Sequence, residues 1–161
     1  DDMQRRVDAM LARFQLTDLR SREPHLLSGG QKQRTALAGV LAVPRRVVVL
    51  DEPTAMLDPA GRDEVLQAVA GLRADGLTVV LVTQEMDEVV GVDRVVALEA
   101  GSVAYEGGVS GLFADTALIR RLGLALPAAA DLALELAARG RSLKPLPLTL
   151  DELTTALEAS G

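Results

Sequence analysis

The sequence predicts an α/β fold built on a parallel sheet with flanking helices. Three observations predict it. Two short aliphatic runs, residues 47–50 and 78–82, have the length and composition of buried strands. A helical stretch opened by Asp58-Pro59 and running to about Ala74 separates them. The succession strand, helix, strand, helix, strand is the order that a parallel sheet produces.

Each element follows from local residue chemistry. Val7, Met10, Leu11 and Phe14 recur at helical spacing and predict an amphipathic helix over 2–14. Residues 15–27 are polar, contain Pro24 and read as a connection. Ser28 caps a second helix over about 30–41, which Pro44 closes. Asp75-Gly76 is a turn into the second strand, and 85–90 is a short helix. Residues 94–98 and 102–105 form a hairpin around Ala100-Gly101. Beyond Gly108 the pattern is wholly helical, with segments near 109–123, 127–139 and 150–159. Pro127 and Lys144-Pro145-Leu146-Pro147 separate them, and Thr149-x-x-Glu152 reads as a capping box for the last. The expected domain division is therefore 1–108 and 109–161.

Composition removes several classes of function. The chain has 161 residues, enough for one domain with a real core. It has no cysteine, so disulfides and thiolate metal sites are excluded. A single histidine, His25, excludes sites built from several histidines, and it reads as a surface or packing residue. The net charge of -6 and the scarcity of aromatics argue against nucleic acid as a partner. No stretch approaches the roughly 20 apolar residues of a membrane span. The N-terminus lacks the apolar core of a signal peptide and does not begin with Met, so it reads as an internal start.

Two motifs carry chemistry. The first is Ser28-Gly29-Gly30-Gln31 at a helix start, where glycines allow close approach and the helix end favours an anion. Taken alone, these residues are also an ordinary capped loop. The second is Val47-Val48-Val49-Leu50-Asp51-Glu52, a strand that delivers two carboxylates to its C-terminal end, where ligands sit in open α/β sheets. Asp51 suits a hard cation such as magnesium, and Glu52 suits a base that orients a water. Alone, the pair is equally an acidic strand end.

Together the motifs are more specific. Leu27-Ser28-Gly29-Gly30-Gln31, then Gln33-Arg34, an aliphatic strand, Asp51-Glu52-Pro53-Thr54 and Leu57-Asp58 stand in an order that resembles the ATP-binding-cassette (ABC) ATPases. The resemblance implies the C-terminal part of a phosphate-loop nucleotide-binding domain with a helical extension. It implies that Ser28, Gly29, Gly30 and Gln31 contact the γ-phosphate of ATP held by a partner subunit. It implies that Asp51 helps place Mg2+, that Glu52 is the catalytic glutamate, and that the loop 55–58, ending on Asp58, crosses a dimer interface. The strand 78–82 leads to the switch position, Gln84.

Two departures matter. The family usually carries histidine where this chain has Gln84, so hydrolysis at this subunit's own site is either slowed or unaffected by a tolerated replacement. No G-x-x-x-x-G-K-[ST] occurs in the chain, and only 26 residues precede Leu27. The chain is therefore expected to be a fragment, a truncated gene product or an engineered piece, inactive by itself. The strand 78–82 is then expected to present an unpaired apolar edge, leaving the isolated chain poorly soluble or partly unfolded.

Residues 112–114, 119–124 and 143–157 resemble the tails of ATPases from energy-coupling factor (ECF) transporters, which import vitamins or metal ions such as cobalt and nickel. A generic helical extension reads the same segments as well. The resemblance implies a second ABC ATPase subunit, alike or different, and an integral membrane transport subunit as partners. It places the chain peripherally at the cytoplasmic membrane face. A non-hydrolysing subunit that supplies only its signature motif is the alternative. ABC ATPases of DNA repair carry long coiled coils beside the signature, and no sustained heptads occur here.

Overall fold

The computed structural model describes residues 2–55 and 57–159. The chain forms two compact units, Asp1–Val82 and Thr83–Gly161. The architecture is α/β, as the alternation of elements predicts.

In the first unit, α1 (Asp2–Arg13) leads through two single turns of 3-10 helix, Thr17–Leu19 and Pro24–Leu26, to α2 (Gly29–Leu41). Then follow β1 (Val47–Asp51), α3 (Pro59–Ala74) and β2 (Thr78–Val82). β1 and β2 are parallel neighbours, with Val47 opposite Thr78 and Asp51 opposite Val82. Val48 and Leu50 turn one face of this pair into a core made by Phe14, Leu37, Ala38 and Leu41 with Val65, Ala68 and Leu72. Burying a valine or leucine fully contributes about 1.5–3 kcal/mol, so this cluster anchors the unit. Arg13 adds an ion pair to Asp75, and its side chain lies against Gly71.

The expectation of fully buried strands is corrected here. The side chains on the opposite face, Val47, Val49, Val80 and Val82, are exposed, Val49 to 63% and Val80 to 44%. A strand that is apolar on both faces needs a layer on each side. The described helices of this unit pack on one.

In the second unit, α4 (Met86–Val89) precedes a hairpin of β3 (Val95–Glu99) and β4 (Ser102–Gly107). Ala100 and Gly101 both take positive φ, 49° and 78°, the geometry that matches a two-residue turn to strand twist. The helix expected over 109–123 is two helices, α5 (Val109–Ala114) and α6 (Thr116–Arg121). Asp115 ends the first and caps the second, accepting from the Leu118 N–H at 2.9 Å. α7 (Ala128–Ala138) and α8 (Leu150–Glu158) complete the unit. Phe113, Leu112 and Ile119 are among its largest fully buried side chains. Among the described residues no helix is long and apolar enough to cross a membrane.

At the start of α8 the capping box is altered. Thr149 Oγ1 accepts from the Glu152 N–H, but Glu152 reaches past Thr149 to the Leu148 N–H at 2.8 Å. The cap is made, and the return bond lands one residue earlier.

Candidate nucleotide-phosphate site

The start of α2 is built by a reciprocal cap. Ser28 Oγ accepts from the Gln31 N–H at 3.3 Å, and Gln31 Oε1 accepts from the Ser28 N–H at 3.0 Å. Gln31 thus serves as the far half of a capping box. The first main-chain bond of the helix runs from the Lys32 N–H to the Ser28 carbonyl, so the Gly29 and Gly30 N–H groups have no acceptor within it. A Cβ on Gly29 would meet nothing within 4 Å. Gly30 faces the other way, where a Cβ would lie 3.8 Å from Leu57 Cδ2. One glycine opens the helix end to space, and at the other a Cβ would make ordinary contact with Leu57.

The C-terminal end of β1 presents the two carboxylates. Asp51 is the last residue of the strand and is exposed. Glu52 follows with φ of +42°, a conformation that a non-glycine residue adopts only when its surroundings impose it. They do so from both sides. The Glu52 N–H donates to the Val82 carbonyl at 2.8 Å, and the Glu52 carbonyl accepts from the Ala55 N–H at 3.1 Å. Pro53 and Thr54 are buried beneath the turn. The strained residue at a strand end is therefore one of the two expected to do chemistry.

Asp58 caps α3, accepting from the Gly61 N–H at 2.9 Å. A Cβ at Gly61 would lie 2.8 Å from Asp58 Oδ1, so glycine leaves room for this cap. Met56, inside the expected crossing loop, lies outside the described residues. Gln84 is exposed in the second unit, inside a turn in which the Glu85 N–H donates to Thr83 Oγ1 at 3.0 Å.

The structure brings the starts of α2 and α3 together through Gly30 and Leu57, and joins Asp51 and Glu52 to the end of β2. No group of three histidine, cysteine or carboxylate residues that could hold a metal occurs among the described residues. Asp51 fits Mg2+ as one oxygen ligand among phosphate and water oxygens. A groove of about 450 Å³ beside α8, lined by Lys144, Pro145, Pro147 and Asp151, contains none of the expected site residues. Sequence reasoning missed Glu64, which sits on α3 within 2.8 Å of Arg34. Its only sequence signal is its place in the second turn of the helix that Asp58 opens.

Comparison with known proteins extends the resemblance to ABC ATPase domains beyond these motifs. The family model for ABC transporters matches residues 2–55. Over nearly its whole length the chain resembles the ATP-binding subunits of ECF transporters. It is 42% identical over 158 residues to the ECF transporter ATP-binding protein EcfA1 of Clostridium novyi, covering 98% of this chain and 56% of that protein. It is 49% identical over 157 residues to EcfA1 of Symbiobacterium thermophilum, covering 97% and 55%. The chain thus spans little more than half the length of these relatives. Among solved structures, cbiO1 from Clostridium perfringens, part of the ABC transporter complex cbiONQ, superposes with a TM-score of 0.65 at 36% identity, over 80% of this chain and 52% of that one. The ATP-binding cassette MJ1267 in its ADP conformation shares the fold, with a TM-score of 0.68 at 23% identity, over 74% and 49%.

Proposed function

We propose that these residues are part of an ATP-hydrolysing subunit that energises an ECF-type membrane importer, acting peripherally at the cytoplasmic face of the membrane. The observation that carries this reading is the open start of α2. Ser28 Oγ–H and the N–H groups of Gly29 and Gly30 can all donate to one anion there, with the helix dipole behind them. In this reading they receive the γ-phosphate of ATP held by a second ABC subunit, alike or different. The 161 residues contain no phosphate loop, so the nucleotide they serve is gripped by phosphate-loop residues outside them.

The remaining residues divide the work at this subunit's own nucleotide. Asp51 supplies an oxygen to Mg2+, which when bound neutralises charge on the phosphates. Glu52 orients and polarises a water from its constrained position. Gln84 offers a neutral hydrogen bond where the family usually places an imidazole. Asp58 stiffens the segment that crosses to the partner. A membrane transport subunit completes the assembly.

A second reading is a non-hydrolysing subunit that lends only residues 27–31, and Gln84 is the observation that favours it. Both are tested by adding the chain to an intact ECF-type ATP-binding subunit and measuring MgATP hydrolysis. The chain is expected to raise turnover, and Ser28→Arg, which fills the open helix end, is expected to abolish the rise. Glu52→Gln, made where these residues are joined to a phosphate loop, then decides between the readings: a fall supports hydrolysis by this subunit, and an unchanged rate supports the lending role. No stimulation by the unaltered chain defeats both.

A further inference from the structure

Arg34 stands one helical turn beyond Gly30 on α2, and its side chain is only 12% exposed. Its Nη1 lies 2.8 Å from Glu64 Oε2 on α3. The same nitrogen donates to the Phe14 carbonyl at 3.2 Å, just past the end of α1. Its Nε is buried as well and makes no hydrogen bond among the described residues. One guanidinium therefore ties three helices.

The location of this tie matters more than its strength. Away from the phosphate site, α2 and α3 are held by apolar side chains: Leu37, Ala38 and Leu41 on one helix, Val65, Ala68 and Leu72 on the other. At the site end Gly30 of α2 lies beside Leu57, close enough that only an added Cβ would touch it. Glycine lets two helices close, but it has no side chain to interdigitate and so resists neither sliding nor rotation. Arg34–Glu64 is the next layer behind that point. Leu57 is bonded to Asp58, so the same layer lies behind the cap of α3 as well.

The structure assigns Arg34 and Glu64 as a positioning pair that sets the start of α2, with Ser28 to Gln31, against the Asp58-capped start of α3. The assignment rests on the reading above, in which the start of α2 meets a phosphate. Neither residue touches that phosphate; they act through the helix ends. The planar guanidinium suits the role because it can hold a carboxylate and a carbonyl at once, which a lysine ammonium on a flexible stem does less rigidly. An error of about 1 Å at an anion-binding helix end is enough to lower turnover severely.

The test uses Glu64→Gln, which keeps shape and removes charge, with Arg34→Lys as a milder second variant. Hydrogen exchange of the full chain is followed at the Gln31 and Lys32 amides, which bond to Ser28 in the first turn. Glu64→Gln is expected to speed exchange there on the order of tenfold while leaving β1 amides unchanged. Arg34→Lys shifts it in the same direction by less. In the stimulated MgATP assay, kcat falls on the order of tenfold with little change in KM, and the reversed pair Arg34→Glu with Glu64→Arg recovers part of it. Loss of a purely stabilising pair would lower the melting temperature and leave kcat of the folded chain intact. Unchanged exchange at Gln31 and Lys32, or unchanged kcat in a chain that does stimulate, overturns the assignment. If the unaltered chain does not stimulate, the phosphate reading fails, and the exchange measurement still decides the positioning.

Discussion

Gly61 illustrates how a residue's chemistry is set by one neighbour. It occupies the third position of α3, where alanine would gain helix propensity of about 1 kcal/mol. Its N–H serves the Asp58 cap, and an added Cβ would press on Asp58 Oδ1 at 2.8 Å. Loss of a cap costs about 1 kcal/mol, so the two effects offset and Gly61→Ala should be close to neutral. With Asp58→Ala already present there is no cap to lose, and Gly61→Ala should then stabilise by about 1 kcal/mol. Opening free energies of α3 amides from native-state hydrogen exchange measure both. Additive effects would show that Asp58 and Gly61 do not act together. The Asp58 cap itself was legible in the sequence, because Asp-Pro at a helix start is a local signal. The left-handed backbone of Glu52 was not, because nothing in a glutamate announces positive φ; the bonds from Val82 and Ala55 impose it.

At the scale of elements, local chemistry located nearly every helix and strand, and the failures have physical reasons. Residues 109–123 read as one helix because alanine and leucine recur there at helical spacing. The chain instead turns at Asp115, whose φ of -90° and ψ of 76° are not helical. Aspartate is as suited to capping as to a helix surface, and tertiary packing of Phe113 and Ile119 selects the cap. Asp115→Ala should cost the second unit about 1 kcal/mol, and Asp115→Asn a few tenths at most, since asparagine caps as well. Tyr105, the sole tyrosine in a chain without tryptophan, lies in this unit and reports its unfolding by fluorescence in urea. Equal costs for the two variants would mean that the charge, not the cap, matters. Arg34–Glu64 escaped sequence reasoning for a related reason. In the sequence Arg34 reads as a solvated or a structural residue, and only the packing of α2 on α3 shows which partner it has.

On the scale of the whole molecule, the sheet is where sequence and structure part most. Aliphatic runs on both faces were read as buried strands, and the described residues cover one face of β1 and β2. The uncovered face is a row of valines: Val47 and Val49 on β1, Val80 and Val82 on β2, with Val49 directly opposite Val80. Exposed strand edges and an exposed apolar face are different hazards, and they can be separated. An edge associates through main-chain hydrogen bonds, whatever side chains point off the sheet. A face associates through apolar area and is silenced by charge. Val49→Lys with Val80→Glu places an opposite-charge pair across the two strands on the open side and leaves Val48, Leu50 and Leu81 on the core untouched. If the face drives association, light scattering should show this variant monomeric at concentrations where the unaltered chain self-associates. Its thermal midpoint, measured at the lowest workable concentration, should change by only a few degrees, because an exposed valine contributes little to the core. Persistent association of the variant would instead place the cause at the strand edges, where a proline in the outer edge of β2 should relieve it.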